Sequence, residues 1–215
     1  MNNILKSTLT SLSVLALSSF VVVVATAEVI DTKAREAILI DPSTGTVILN
    51  KNADEQMPPA SMSKLMTAYL LFESINDGRV SLDDKFRVSE NAWRKGGAAS
   101  GSSTMFLPPK SEVRVEDLIR GIIVQSGNDA CIVVAESLAG SEEAFADMMN
   151  QHAELLGLDN SYFLNASGLP MPQHTMSARD LALLSRALVE RFPNHYAMYS
   201  EKEFTFNEIR QPNRN

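Results

Sequence analysis

The spacing of apolar and polar residues changes along the chain and predicts a pair of strands followed by a helix. Residues 35–41 and 46–50 are short runs rich in Ile, Val and Leu, and Pro42-Ser43-Thr44-Gly45 between them has the composition of a hairpin turn. After Pro58-Pro59, apolar residues recur with the i, i+3, i+4, i+7, i+8 spacing of an amphipathic helix at Met62, Leu65, Met66, Tyr69 and Leu70. We predict that this helix ends near Gly78, a residue type suited to a C-terminal cap.

Downstream, the pattern predicts mostly helices. Residues 116–139, 142–156 and about 177–191 have helical spacing, and the first of these segments is apolar enough to be buried. Phe204, Phe206 and Ile209, with the polar residues Thr205, Asn207 and Glu208 between them, indicate the beginning of another strand. A strand pair followed by a block of helices predicts an α+β (mixed) domain, with the strands that complete its sheet at or beyond the C-terminal end of the sequence.

Two segments between these elements carry weaker signals. Residues 79–89 have apolar side chains at even spacing and fit an exposed strand or a loop. Residues 96–103 are rich in Gly, Ala and Ser but lack the Gly-Lys-Ser/Thr ending of a phosphate-binding loop. We therefore predict a flexible surface loop there.

The N-terminal segment predicts export. Lys6 precedes an apolar run from Leu12 through Val24, and Ala25-Thr26-Ala27 has the small-x-small form that a signal peptidase cuts. This run is broken by serines and is shorter than the roughly 20 apolar residues of a membrane-spanning helix. We predict a signal peptide over residues 1–27 and one domain over residues 28–215, exported across the inner membrane to the periplasm or cell envelope.

The composition argues against several classes of function. The formal net charge is −7 and no cluster of Lys and Arg offers a track for phosphates, so nucleic acid is not expected as a partner. Cys131 is the single cysteine, and its apolar neighbours predict an inert core thiol. His152, His174 and His195 lack the paired spacing of metal ligands, so neither a metal site nor a cofactor is predicted.

Ser61-Met62-Ser63-Lys64 is the first group of residues with the pattern of a catalytic site. A serine hydroxyl becomes a good nucleophile when a base removes its proton, and a residue three positions later on a helix lies one turn away on nearly the same face. Ser61 also lies at the predicted helix start, where free backbone N–H groups could stabilise an oxyanion. The alternative is that Ser61 caps the helix and Lys64 is a solvated lysine.

Ser126-Gly127-Asn128 is the second such group. Ser-x-Asn occurs three times in the chain, but only this copy interrupts a strongly apolar segment, where two polar side chains are costly without a purpose. The other copies, which begin at Ser74 and Ser89, are predicted to lie at a helix end and in a turn or cap. The alternative for the third copy is a loop between two helices, capped by Asn128 or Asp129.

Taken together, these residues and their surroundings make the chain similar to a known family. It resembles the D-alanyl-D-alanine carboxypeptidases among the low-molecular-mass penicillin-binding proteins, relatives of the serine β-lactamases. The resemblance covers nearly the whole chain after the signal segment. It is carried by the opening hairpin, the run around Ser61-Met62-Ser63-Lys64, Ser100 to Leu107, Gln125 to Ala130, Asn165 to Pro170, and Ser177 to Asp180.

The resemblance implies a fold and a role for each candidate residue. The fold would be β-lactamase/transpeptidase-like, an antiparallel sheet packed with helices plus a helical subdomain. Ser61 would form an acyl-enzyme with the penultimate D-alanine of a peptidoglycan stem peptide, and Lys64 would accept its proton. Ser126 would relay a proton to the leaving amine, and Asn128 would hold the substrate amide and position Lys64. β-Lactams would be covalent inhibitors that acylate the same serine.

One part of the family pattern is missing from this sequence. No Lys-Thr-Gly or Lys-Ser-Gly tripeptide occurs between Met1 and Asn215. In the family, the lysine of this third motif binds the substrate carboxylate, and its strand supplies the second oxyanion donor. The expectation is therefore a truncated sequence whose C-terminal strands are missing and whose activity is impaired. The resemblance further implies a β-rich C-terminal domain and peripheral membrane association for the full-length protein.

Two alternative functions fit the same residues less well. A class A β-lactamase normally has Ser-Asp-Asn as its second motif and a glutamate that activates the deacylating water. Here the second motif is Ser-Gly-Asn, and Glu142, Glu143 and Glu154 are predicted to lie on solvated helix faces. A non-catalytic cell-wall-binding protein on the same fold is the other alternative, and the intact pair of Ser61 and Lys64 argues against it.

Overall fold

The computed structural model describes Ile30 and residues 32–214. The chain divides after Asp31, and everything described below belongs to the unit that begins at Thr32. The predicted signal peptide lies outside the described residues, so its boundary remains a prediction, as does the extent of the domain after it. Within the described residues, no helix is long and apolar enough to cross a bilayer.

Helices are the main regular elements of this unit, and its strands are short. The α-helices are α1 (Lys64–Asn76), α2 (Glu90–Gly96), α3 (Val115–Gln125), α4 (Asn128–Ala139), α5 (Glu142–Leu156), α6 (Ala178–Arg191) and α7 (Pro193–Tyr196). The strands are β1 (Ala37–Ile40), β2 (Val47–Lys51), β3 (Lys85–Arg87), β4 (Glu112–Arg114), β5 (Glu203–Phe206) and β6 (Ile209–Pro212). Three short 3₁₀ turns cover Ala60–Ser63, Ala98–Ser100 and Ala197–Ser200.

The strands confirm a mixed α+β fold, although they do not form one sheet. In the described part of the chain they make three separate antiparallel pairs, β1 with β2, β3 with β4, and β5 with β6. The predicted opening hairpin is present, with Ala37 opposite Lys51 and a register shift between Leu39 and Ile40. The single strand predicted from Phe204, Phe206 and Ile209 is wrong in part. The chain turns at Asn207-Glu208, both with positive φ, so Ile209 begins β6 and pairs with Phe206 of β5 in a second hairpin.

The core is built around α1 and α4. Five consecutive residues of α4, from Cys131 to Ala135, are fully buried, as the apolar pattern of residues 116–139 predicts. The prediction of an amphipathic α1 is wrong in part, because Met66, Leu71 and Phe72 are buried around most of its circumference and Met62 is 38% exposed. Apolar residues on every face are typical of a helix enclosed by other elements rather than packed on one side.

The structure corrects some of the local predictions and confirms others. The predicted helix over residues 116–139 is two helices, α3 and α4, separated by Ser126-Gly127. The predicted flexible loop at 96–103 begins in helix α2, whose first turn is capped by Ser89, as the Ser-x-Asn pattern there suggested. Gly78 follows the end of α1 with φ +72°, which confirms its capping role.

The solvated glutamates predicted near α5 also need one correction. Glu142 is 5% exposed and its carboxylate lies 2.7 Å from the Lys95 amine, because α2 and α4 pack beside the start of α5. Glu143 and Glu154 are exposed, as predicted.

Candidate active site

The candidate nucleophile lies on a short turn rather than inside a helix. Ala60–Ser63 form a 3₁₀ turn that runs directly into α1, so Ser61 precedes the first α-helical residue, Lys64. The Lys64 Nζ atom is 3.0 Å from the Ser61 Oγ atom, which is hydrogen-bonding distance. The sequence spacing predicted this contact, and the structure places the two groups as a base and a nucleophile must be placed.

Lys64 is a buried amine. It is 5% exposed, and burial lowers the pKa of its side chain below the ordinary lysine value, with the positive charge of Arg214 acting in the same direction. No carboxylate among residues 32–214 makes an ion pair with Lys64 to restore the charged form. The Cys131 thiol has its pKa raised to about 12 by burial, so it is uncharged at neutral pH. These surroundings favour a neutral amine, the form that can accept a proton.

A loop 100 residues downstream holds this lysine from the other side. The backbone carbonyl of Ser167 accepts a 2.6 Å hydrogen bond from Lys64 Nζ, and the carbonyl of Ala166 accepts one of 2.6 Å from Thr67 Oγ1. Asn165 shapes the loop, because its side-chain oxygen accepts hydrogen bonds from the backbone N–H groups of residues 167, 168 and 169. The sequence resemblance included this segment but assigned it no role.

The same loop presses against the residue before the nucleophile. Ala60 has φ +47°, a left-handed conformation that a residue with a Cβ atom adopts at a cost in energy. Gly168 has φ +78°, and a Cβ atom on it would lie 1.7 Å from the Ala60 carbonyl oxygen. Only a glycine therefore allows the loop to approach the turn this closely, which fixes the position of Ser61.

Ser126 is the second candidate hydroxyl. It ends α3 in a left-handed conformation, with φ 56°, because the helix stops there and α4 begins two residues later. Its Oγ atom is buried and has no hydrogen-bond partner in the described part of the chain. A buried hydroxyl without a partner calls for an explanation such as a bound ligand, and Ser126 lines the same cavity as Ser61 and Lys64.

Asn128 begins α4 and is 5% exposed. Its side-chain amide donates a 2.9 Å hydrogen bond to Ser102 Oγ, and its backbone N–H donates to the Ser103 carbonyl. The structure therefore ties Asn128 to the segment after α2. The hydrogen bonds of Lys64 lead to Ser61 and Ser167, and the expectation that Asn128 positions Lys64 stays a prediction.

Asp129 supports this corner of the site, although the sequence offered it only as a helix cap. It is fully buried, and its carboxylate accepts hydrogen bonds from Thr104 Oγ1 and from the backbone N–H groups of Met105, Leu107 and Ala130. It thereby fastens residues 104–107 to the start of α4. No sequence signal for this role exists, because the partners on residues 104–107 lie more than 20 residues away.

The cavity at the nucleophile has a volume of about 220 Å³. Its apolar wall comes from the Ala60–Ser63 turn, α1 and α3, and the Tyr199 side chain also lines it. Sequence reasoning missed Tyr199, which lies in the short 3₁₀ turn Ala197–Ser200 between α7 and β5. The lining residues are Ser61, Met62, Lys64, Leu65, Ile122, Ile123, Ser126 and Tyr199.

The remaining candidates from the sequence lie elsewhere. Cys131 is fully buried in the core, as its apolar neighbours predicted. His152 contacts Glu73, His174 is buried against Ser63, and His195 stacks on Phe72. Among the residues that the structure describes, no group of three or more His, Cys, Asp or Glu side chains could hold a metal ion.

The geometry supports acyl transfer through a covalent serine intermediate. It combines a hydroxyl at the mouth of a cavity, a buried amine in contact with it, and a second hydroxyl on the same cavity wall.

Comparison with known proteins points to one family. Residues 22–215 match the family model described as D-alanyl-D-alanine carboxypeptidase. The chain is 47% identical to D-alanyl-D-alanine carboxypeptidase DacC of Escherichia coli over 191 residues, which cover 88% of this chain and 48% of that protein. The chain thus spans about half the length of the curated relatives it matches.

Solved structures agree with this comparison. Penicillin-binding protein 5 from Haemophilus influenzae superimposes with a TM-score of 0.84 at 36% identity, covering 88% of this chain and 54% of that one. Penicillin-binding protein D2 from Listeria monocytogenes, in its ampicillin-bound form, superimposes with a TM-score of 0.70 at 27% identity. That match covers 87% of this chain and 74% of the other.

Proposed function

The chain belongs to the D-alanyl-D-alanine carboxypeptidase family, and on that premise we propose that it acts as a serine-type D-Ala-D-Ala carboxypeptidase. The substrate would be a peptidoglycan stem peptide that ends in D-Ala-D-Ala. The observation that carries the proposal is the 3.0 Å contact between Ser61 Oγ and the buried Lys64 amine.

The proposed reaction has two steps. Neutral Lys64 takes the proton of Ser61, whose oxygen attacks the carbonyl carbon of the penultimate D-alanine and forms an ester. The amide bond breaks, and the terminal D-alanine leaves as an amine with a proton that Ser126 relays from Lys64. Water then hydrolyses the ester and regenerates Ser61. Asn128 is proposed to hold the substrate amide.

β-Lactams are the second proposed ligand of this site. Attack of Ser61 on the lactam carbonyl opens the ring and leaves a covalent adduct. The relative from Listeria monocytogenes has been solved in ampicillin-bound and cefotaxime-bound forms, which supports the same reaction here.

The biological setting follows from the substrate. We propose that the protein acts in the periplasm or cell envelope after export by its N-terminal segment, and that it trims stem peptides during cell-wall biosynthesis and so influences cell shape. Peripheral membrane association belongs to this proposal for a full-length protein.

A labelled penicillin tests the proposed chemistry. We expect intact-mass spectrometry to show one covalent adduct on the protein and none on Ser61→Ala, while Ser43→Ala, which changes an exposed serine in the β1–β2 turn, retains it. An adduct that persists in Ser61→Ala would contradict the assignment.

The third family motif can be tested separately. Residues 1–215 contain no Lys-Thr-Gly or Lys-Ser-Gly, and loss of one oxyanion donor costs about 10²–10³-fold in rate, so a strand that bears this motif is expected to raise the acylation rate. If a longer product of the gene supplies a Lys-Thr-Gly or Lys-Ser-Gly strand, that product is expected to react faster by a similar factor. Equal rates for the two forms would remove the proposed role of such a strand.

A further inference from the structure

His174 and Ser63 form a buried polar contact directly behind the nucleophile. The Ser63 Oγ atom lies 2.9 Å from His174 Nε2, although the two residues are 111 positions apart in the chain. Ser63 is fully buried and His174 is 3% exposed. A buried polar pair far apart in sequence needs a reason, because an apolar pair could fill the same space without the cost of removing polar groups from water.

Ser63 is the last residue of the Ala60–Ser63 turn, which carries the proposed nucleophile and is called the catalytic turn below. It lies two residues after Ser61 and directly before the base Lys64. A shift of its backbone would therefore move both reacting groups. His174 lies at the far end of the loop that also supplies the Ser167 carbonyl to Lys64. Contacts at Ser63, Lys64 and Thr67 therefore join this loop, residues 165–174, to the start of α1.

We propose that His174 is a positioning residue that acts through Ser63, holding the turn of Ser61 and Lys64 against the loop 165–174 so that Lys64 stays buried in contact with Ser61. The inference rests on the proposed function and deepens it, since it adds a residue that touches neither substrate nor reacting atom. Neither the family comparison nor the sequence pattern assigns His174 a role.

The chemistry of the imidazole suits this task. Burial lowers the pKa of His174, so the ring is neutral near pH 7, and the Phe163 ring packs edge-on against it. Nε2 contacts Ser63, and Nδ1 has no hydrogen-bond partner among the described residues. Nε2 is therefore the ring atom through which His174 would hold Ser63. A glutamine side chain can place a nitrogen near that position, whereas the shorter asparagine reaches only to the position of Nδ1.

Loosening the turn has a measurable consequence at Lys64. The titratable groups that face its amine are the Cys131 thiol on α4 and the Arg214 guanidinium after β6. Neither changes when His174 is replaced. If the turn separates from the loop, water reaches Lys64, desolvation weakens, and the pKa of its side chain rises toward the ordinary lysine value.

The direct test follows the titration of Lys64 by NMR on the 215-residue chain with ¹³C-labelled lysine, the signal being assigned with Lys64→Arg. We expect His174→Asn and Ser63→Ala to raise the pKa of Lys64, and His174→Gln to keep it near that of the parent. His195→Asn is the matched control, because it removes a partly buried imidazole that stacks on Phe72 away from the site.

The outcomes separate positioning from general stability. If His174→Asn and Ser63→Ala fold and leave the Lys64 titration unchanged, the inference is wrong, whatever happens to the melting temperature. If His174→Gln raises the pKa of Lys64 as much as His174→Asn does, the contact does not depend on Nε2 and the inference is equally wrong. Should His174→Asn fail to fold, Ser63→Ala decides by itself, since it removes only the hydroxyl.

Acylation by a labelled penicillin gives a second readout. His174→Asn and Ser63→Ala are expected to react about ten- to hundredfold more slowly, with the rise of the rate moved to higher pH, and His174→Gln is expected to restore the rate. A parent protein that never forms the adduct would contradict the proposed function, while the lysine titration would still decide the role of His174.

Discussion

At the residue scale, Lys64 shows how burial prepares a base. A lysine in water holds its proton up to a pH of about 10.4, whereas Lys64 loses hydration and has hydrogen-bond acceptors in place of a carboxylate. The charged form is therefore costly in the folded protein. That cost makes the residue useful as a base, and it also makes the stability of the fold depend on pH.

The substitution Lys64→Met exposes this dependence. The pKa of Lys64 is lower in the folded protein than in the unfolded chain. At a pH between these two values the unfolded chain therefore binds more protons than the folded protein. The contribution of Lys64 to the free energy of unfolding consequently increases as the pH rises through this range. Urea unfolding at pH 7 and pH 9.5 should show the difference in free energy of unfolding between parent and Lys64→Met shifting in favour of the parent at the higher pH. A difference that stays constant would show that Lys64 titrates as an ordinary lysine.

The sequence predicted the pair of Ser61 and Lys64 because their contact depends only on local geometry. Three-residue spacing at a helix start brings the two side chains together in any fold that forms the turn. The carbonyl of Ser167 and the ring of His174 could not be predicted in the same way. Their contacts span 103 and 111 residues, and nothing in the local pattern of either segment marks its partner.

At the element scale, the junction between the Ala60–Ser63 turn and the loop 165–174 determines the geometry of the site. The hairpin, α1 and α6 were predicted from the spacing of apolar residues and from turn chemistry, and their bounds differ from the prediction by few residues. The 3₁₀ turn was not predicted, since its left-handed Ala60 is imposed by the loop that packs on it. Tertiary contact, rather than local preference, forms this element.

Gly168→Ala tests this junction. The added Cβ atom would clash with the Ala60 carbonyl in addition to the strain of φ +78°, so we expect a loss of several kcal/mol in the free energy of unfolding and loss of acylation. Gly140→Ala is the matched control, because Gly140 has φ +83° and open space around its Cβ position. The control should cost only about 1–2 kcal/mol. Equal losses in the two variants, measured by urea unfolding, would rule out the close approach as the cause.

At the scale of the whole molecule, the catalytic turn is attached to the most deeply buried part of the fold. α1 begins at Lys64 and packs on α4, whose residues Cys131 to Ala135 have no exposed surface. The β1–β2 hairpin contrasts with this core, since Ile48 is 55% exposed and Leu39 44%. The catalytic turn is thus joined to a fully buried core, whereas the hairpin has exposed apolar side chains. This difference indicates that stability is unevenly distributed over the fold.

Hydrogen exchange should reveal this difference directly. We expect the amides of α4, and those of α1 beyond its first turn, to exchange only when the whole unit unfolds, because opening either helix would expose the core. The amides of β1 and β2 should exchange faster through local opening, since β2 is bonded on one side only within the described residues. Mass spectrometry of the exchanging chain would measure both. Equal protection of the hairpin and of α4 would mean that the hairpin belongs to the same cooperative unit, and that the support of Ser61 and Lys64 extends to the edge of the fold.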